Sequence, residues 1–263
     1  MQGMTRYIVN AEFNNLKKGL FDVVANFGRE GKTLYNARNM IKLVMVDNHE
    51  LVFKQYKKLG IIKQLIYKFR RNKASRAYHN ALRLIESGVS TPSPVAFVNE
   101  YNGLGLLRQS YYIYEYCNDP LLETFYGTEN SFDHDVISAF AFFIADLHGK
   151  GIVFKDLNKS NVLVNKKSDN SISFSLIDIN RMKFLERRSL SIKGRFKNVS
   201  RFCYGFPGMF AFFVEKYIEA CQKNGQISSD VDAAKLKELA IKIKHKDNTR
   251  RHLIKQMKHI IEL

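Results

Sequence analysis

Apolar positions in the first 28 residues fall at Phe13, Leu16, Leu20, Val23, Val24 and Phe27, three or four apart. That spacing predicts a short amphipathic helix, broken by Gly28 and Gly31. The period then shortens to two. Residues 32–35, 40–46 and 50–56 read as strands, the last two joined by the turn-forming Asp47-Asn48-His49. Ala77, Ala81, Leu84 and Ile85 restore helical spacing over 74–85, and Gly88 ends that helix. A strand enters through Pro92 and Pro94, turns near Asn102-Gly103 and returns over 110–116. Beyond the break at Asn118-Asp119-Pro120 the pattern is mostly helical. Val136, Ile137, Phe140, Phe143, Ile144 and Leu147 mark a helix over 133–149, and two more cover 196–220 and 231–261. Between them lie short apolar strands at 152–153, 162–164 and 174–177. The fold class predicted is α+β, a small antiparallel sheet followed by a largely helical half.

The chemistry concentrates between Leu147 and Asp178. Asp156 lies on a short loop and can accept a proton from an attacking hydroxyl. Asn161, five residues later, can hold a metal through its side-chain carbonyl oxygen. Asp178 ends the facing strand and can hold the metal that bridges nucleotide phosphates. A D-x(4)-N pair is common by chance. The preceding Leu-His-Gly-x-Gly-Ile and the following Leu-Ile-Asp make this one informative. His148, at the end of its helix, reads better as a structural hydrogen-bonding residue than as a base. Gly31-Lys32-Thr33 looks like the tail of a Walker A loop, but Asn26 stands where that loop needs glycine.

Gly-Ile-Val-Phe-Lys-Asp-Leu-Asn-Lys-Ser-Asn stands where protein kinases have His-Arg-Asp-Leu-x-x-x-x-Asn, and Asp178-Ile179-Asn180 where they have Asp-Phe-Gly. Gly88-Val-Ser-Thr-Pro-Ser-Pro resembles a Gly-Ile-x-Thr-Pro-x-Pro segment. On these motifs the chain resembles the lipopolysaccharide kinases of the protein-kinase-like fold, which phosphorylate Kdo or heptose of the inner core. The resemblance covers roughly 31–225. It implies an N-terminal nucleotide-binding lobe, 1–117, with a small sheet and one helix, and a mostly helical catalytic lobe, 118–263. It implies ATP and Mg²⁺, with Asp156 catalytic and Asn161 and Asp178 on the metal. Lys54, in Leu-Val-Phe-Lys, would contact the α- and β-phosphates. Arg38 would supply charge in a phosphate loop that lacks glycine, and Glu115 and Tyr116 would form the adenine-binding hinge. Arg181, Lys183, Arg187 and Arg188 would receive an anionic acceptor. Phe154 replaces the usual His and Asn180 the usual Gly, and no Ala-Pro-Glu follows. The helix glutamate that pairs with the strand lysine in kinases is missing, since Ala77 or His79 stands there. Either Asp178 holds Lys54 instead or the site is catalytically impaired.

Bulk composition adds a partner class. The net charge is +17, and residues 54–83 carry ten Lys or Arg with no Asp or Glu. An uncompensated run of that length repels itself and favours an anion-binding surface. Cys117, Cys203 and Cys221 have neither disulfide-framework nor zinc spacing, which fits a reducing compartment. With 45% hydrophobic residues the chain can bury a core, and the Phe142, Phe143, Phe210, Phe212 and Phe213 clusters read as part of it. No apolar run spans a bilayer, so the expectation is a cytoplasmic protein, peripheral at the inner face of the bacterial inner membrane. The partners expected are lipopolysaccharide or a lipid-linked sugar acceptor and an anionic membrane surface, and not nucleic acid. Two other readings stay open: an atypical protein kinase, and a non-catalytic kinase-like module that binds anionic glycolipid.

Overall fold

The computed structural model describes residues 3–56, 71–128, 131–185 and 190–261, with side chains omitted at 255 and 258–261. The chain forms two compact units, one of residues 1–118 with 178–181, the other of 119–177 with 182–263. Residues 57–70, with Lys63, Lys68 and Arg70 of the basic run, lie outside the described residues, as do Arg187 and Arg188.

The first unit is built on a six-stranded antiparallel sheet in the order β1-β5-β6-β4-β3-β2. Its strands are β1 (Met4–Val9), β2 (Lys32–Asn36), β3 (Asn39–Val46), β4 (His49–Tyr56), β5 (Pro94–Tyr101) and β6 (Leu107–Glu115). The first 28 residues differ from the single helix predicted. An edge strand, β1, comes first, then a 3-10 turn, Ala11–Leu16, and only then α1 (Lys17–Ala25). The predicted apolar positions are nevertheless the buried ones. Phe13, Leu16, Leu20, Val23, Val24 and Phe27 form one core cluster with Val44, Leu51, Phe53 and Ile113. Periodicity found the buried face; it did not register β1, whose residues are mostly exposed.

The β3–β4 hairpin closes on Asp47 (φ 45°) and Asn48 (φ 68°), the pair of left-handed residues a tight primed turn demands. A further described helix of this unit, α2 (Lys73–Glu86), starts at Asn72, whose side chain accepts from the Ser75 amide at 3.0 Å. It ends at Gly88 (φ 68°), where the Val89 amide reaches back to the Leu84 carbonyl. Strand alternation divides β4 between two faces. Leu51 and Phe53 point into the α1 core, so Lys54 and Tyr56 lie on the face where α2 packs.

The second unit holds two two-stranded pairs, β7 (Ile152–Phe154) with β10 (Met182–Phe184) and β8 (Val162–Lys166) with β9 (Ile172–Leu176). Around them lie α3 (His134–Gly149), α4 (Ile192–Val199), α5 (Pro207–Lys223) and α6 (Ala233–Ile261). Asp133 caps α3 by accepting from the Val136 amide at 3.0 Å. Phe140, Phe202, Phe213 and Tyr217 are buried together, and Phe142, Phe143 and Phe212 are half-buried, Phe143 stacked on Phe140 and Phe212 packed on Phe132 and His134. The helix expected over 196–220 is in fact two. Cys203 (φ 53°), Gly205 (φ 85°) and Pro207 at the first turn of α5 interrupt it, because left-handed residues and a proline cannot continue α4.

Candidate functional site

Lys54 sits mid-strand in β4, held on both sides by β3 and β6 through its partners Ile41 and Tyr112. It is only 5% exposed. Its Nζ lies 2.5 Å from Asp178 Oδ1, so the buried ammonium has an anionic partner. Asp178 adopts φ 53°, an uncommon left-handed conformation for a residue other than glycine. Asn180, the residue in place of the kinase glycine, donates its Nδ2 to the same Asp178 oxygen at 2.7 Å. Asn180 is itself buried. Tyr56 and Tyr114 stand on the same sheet face. Burial first, and the Asp178 carboxylate second, hold both phenols above their usual range, so both remain neutral hydroxyls.

Helix α2 brings no acid to this lysine. Ala77 is buried, and His79 Nδ1 lies 2.7 Å from the Ser75 carbonyl one turn back. The helix contributes Asn80 instead, whose Nδ2 donates to the Ile179 carbonyl at 2.8 Å. This contact and the Lys54–Asp178 contact tie the segment 178–180 to the rest of the first unit. Asn80 carries no signal in the sequence, and Asn180 stands out there only as the residue in place of the kinase glycine. A hydrogen bond between side chain and backbone across 99 residues leaves no periodic trace.

The second unit carries Asp156 and Asn161. Asn161 Nδ2 donates to the Asp156 carbonyl at 2.9 Å, which fixes the amide plane and leaves Oδ1 as its acceptor end. The Asn161 carbonyl accepts from the Ile177 amide at 3.0 Å, and Asp178 is the next residue in the chain. The two carbonyls before Asp156 are also held. Asn198 Nδ2 donates to the Phe154 carbonyl at 2.9 Å, and Arg201 Nη1 to that of Lys155 at 2.5 Å. Asn198 lies between Phe196 and Val199 on the core side of α4, and a polar residue amid buried neighbours was the one available sequence signal.

His148 belongs to this scaffold. It is 1% exposed, with Nδ1 at 2.7 Å from the Tyr217 hydroxyl and Nε2 at 2.9 Å from Asn198 Oδ1. Because Asn198 gives its NH₂ to Phe154, its oxygen must accept. His148 Nε2 therefore carries the proton, and Nδ1 accepts from the Tyr217 hydroxyl. Burial lowers the His148 pKa from 6.5 to about 4. The unfolded chain then binds more protons than the folded one between those values, so stability falls as pH drops from 6.5 towards 4. Two and a half pH units correspond to about 3 kcal/mol. Urea midpoints across that range should decline for the wild type, and His148→Gln should flatten the decline. Equal slopes would remove His148 as its source.

The remaining predicted residues are dispersed. Arg38 is exposed in the β2–β3 turn. Glu115 and Tyr116 have their amides committed within the sheet, to the Ser93 carbonyl at 3.0 Å and the Glu50 carbonyl at 2.9 Å. Of their backbone groups, the carbonyls are therefore the ones that can serve a ligand. Arg181 and Lys183 are exposed on either side of the 3-10 turn's end.

No curated protein matches the sequence. Among solved structures the chain is similar to one described as WaaP in complex with acyl carrier protein, at 17% identity and a TM-score of 0.61. That likeness covers 92% of this chain and 98% of the other, and at such identity it speaks to fold. Residues 28–203 match the lipopolysaccharide kinase (Kdo/WaaP) family, a span that takes in Lys54, Asp156, Asn161, Asp178 and the Asn198–Phe154 support. The chain belongs to the lipopolysaccharide kinase (Kdo/WaaP) family.

Proposed function

We propose that this family member transfers the γ-phosphoryl group of ATP to a sugar hydroxyl, of Kdo or heptose, in the lipopolysaccharide inner core. The observation that carries the reading is the Lys54–Asp178 contact at 2.5 Å. A buried lysine held by the carboxylate of the Asp-Ile-Asn segment replaces the lysine–glutamate pair of kinases, which answers the missing helix acid.

Lys54 positions the α- and β-phosphates, and exposed Arg38 adds charge near them. The carbonyls at Glu115 and Tyr116 accept from the adenine amino group. Asp156 orients the acceptor hydroxyl and takes its proton as the new oxygen–phosphorus bond forms. The bond from the γ-phosphorus to the bridging oxygen breaks, and ADP leaves with that oxygen. Mg²⁺ fits the donor set, since the Asp178 carboxylate and the Asn161 carbonyl are hard oxygen donors. Among the described residues no three His, Cys, Asp or Glu cluster as a metal cage. That suits an ion which takes one or two carboxylates and completes its shell with phosphate and water. When bound, it neutralises charge on the β- and γ-phosphates. Arg181 and Lys183, with Arg187 and Arg188 following in the sequence, would receive the acidic acceptor. Acceptors of this kind place the enzyme in the cytoplasm at the inner face of the membrane.

The test is incubation with γ-labelled ATP and Mg²⁺ against truncated-core lipopolysaccharide, protein and nucleic acid in separate reactions. Label should enter the lipopolysaccharide and be released as sugar phosphate. Label in protein instead would favour an atypical protein kinase. Mg-ATP binding without any transfer would favour a non-catalytic module.

A further inference from the structure

Helix α6 changes character along its length. Leu236, Ala240 and Lys244 are buried against the second unit, and Lys244 Nζ reaches the Ser200 and Phe202 carbonyls. From His252 onward none of the described side chains is buried. Yet Leu253, Ile254 and Met257 are 53%, 44% and 61% exposed. At about 100° per residue these three share one helix face, and Ile260 and Ile261 continue the same spacing in the sequence. By the same rotation Ile254 lies on the angle of buried Leu236, while Met257 and Leu253 lie roughly 60° and 100° round from it. The stripe therefore begins at the edge of the core seam with Ile254 and turns away from it through Met257 and Leu253.

Cations lead into it. Exposed Lys246 and Arg250 lead into the stripe from the turns before. Residues 248–261 contain Arg250, Arg251, Lys255 and Lys258 and no Asp or Glu. Asp247 is already paired with Arg251 at 2.9 Å. We propose that the 246–257 stretch of α6 is a membrane-contact element, laying Leu253, Ile254 and Met257 at the headgroup–acyl boundary of an anionic bilayer while Lys246 and Arg250 meet lipid phosphates. A second copy of the helix would bring the same cations together, which opposes self-association. A protein groove would have to enclose flanks where those cations stand, whereas a planar interface needs a single face. Among the described residues no helix is long and apolar enough to cross a membrane, so this contact is peripheral. The inference gives the membrane partner of the proposed kinase an address, and it rests on that reading for its purpose.

The experiment is sedimentation of the full chain with vesicles of phosphatidylcholine alone or with phosphatidylglycerol, alongside Mg-ATP affinity on the same preparations. Binding should need phosphatidylglycerol and weaken as salt rises through the physiological range. Leu253→Ser, Ile254→Ser and Met257→Ser combined should weaken it at least about 10-fold. Lys246→Glu with Arg250→Glu should weaken it about 10-fold as well. These side chains are exposed, so fold and Mg-ATP affinity should stay as in the wild type. Wild-type sedimentation by the triple variant overturns the proposal. So does loss confined to Lys63→Glu, Lys68→Glu and Arg70→Glu, which would move the contact to the basic run. A wild type that ignores both vesicles, while the triple variant alters self-association or capture of an acidic protein, also overturns it. Loss of Mg-ATP binding in the wild type would instead count against the kinase reading.

Discussion

Asp156→Asn should lower turnover roughly 10²–10⁴-fold and leave ATP affinity nearly unchanged. The substitution keeps the shape of the side chain and removes its negative charge and its ability to take a proton. It should not unseat the loop, because the loop is held by backbone contacts that the variant retains. Asn161 binds the Asp156 carbonyl, Asn198 the Phe154 carbonyl and Arg201 the Lys155 carbonyl. Steady-state kinetics with the lipopolysaccharide acceptor, set beside the dissociation constant of a non-hydrolysable ATP analogue, separate the two quantities. Parallel loss of turnover and nucleotide affinity would assign Asp156 to the metal or to structure instead of proton transfer.

Asp178→Ala should abolish the Mg²⁺-dependent part of ATP binding. Changing a group that merely supports a metal ligand typically costs 10–100-fold in affinity, so removing a ligand itself should cost at least about 100-fold. The same variant also strands a charge. Lys54 is 6% exposed by side chain and Asp178 33%, so breaking the pair should cost less than the about 3–5 kcal/mol of a fully buried one. Stability and function can be separated by adding Lys54→Met, which replaces the stranded ammonium with an apolar chain of similar length. The double variant should regain much of the melting temperature lost by Asp178→Ala and none of its Mg-ATP binding. Titration calorimetry with and without Mg²⁺ provides the readout. Full Mg-ATP affinity in Asp178→Ala would remove this residue from the metal site.

The pair changes how the departures from the kinase pattern are understood. In a kinase, glycine after the Asp-Phe pair lets that segment move. Here Asn180 bonds to Asp178 within the segment, while Lys54 holds the Asp178 carboxylate and Asn80 the Ile179 carbonyl, so the segment is braced internally and tethered to β4 and α2. A side chain that fixes its neighbour is the opposite of a hinge. The polar residues of α2 and of the 178–180 turn thus work together, and the lysine is neutralised from the turn and not from the helix.

The sequence by itself determined the elements that repeat a period or carry a turn signal. The apolar faces of α1 and α3, the hairpin at Asp47-Asn48, the end of α2 at Gly88, and the Asp156, Asn161 and Asp178 motif were all legible. Each is set by neighbours a few residues away, through rotamer, dihedral and spacing preferences that act locally. Other features were decided only by tertiary structure. Edge strand β1 is mostly exposed and so lacks an apolar alternation to read, and its pairing with β5 joins Met4 to Tyr101. The break between α4 and α5 overrode continuous apolar spacing because Cys203 and Gly205 take left-handed angles. Lys54 meets Asp178 across 124 residues, a pairing the sequence offers only as one of two alternatives, and His148 meets Asn198 across 50. A buried charge or imidazole must find a partner wherever the fold brings one, since leaving it unpaired costs far more than any local preference supplies. Such partners are chosen in three dimensions, and no spacing along the chain records the choice.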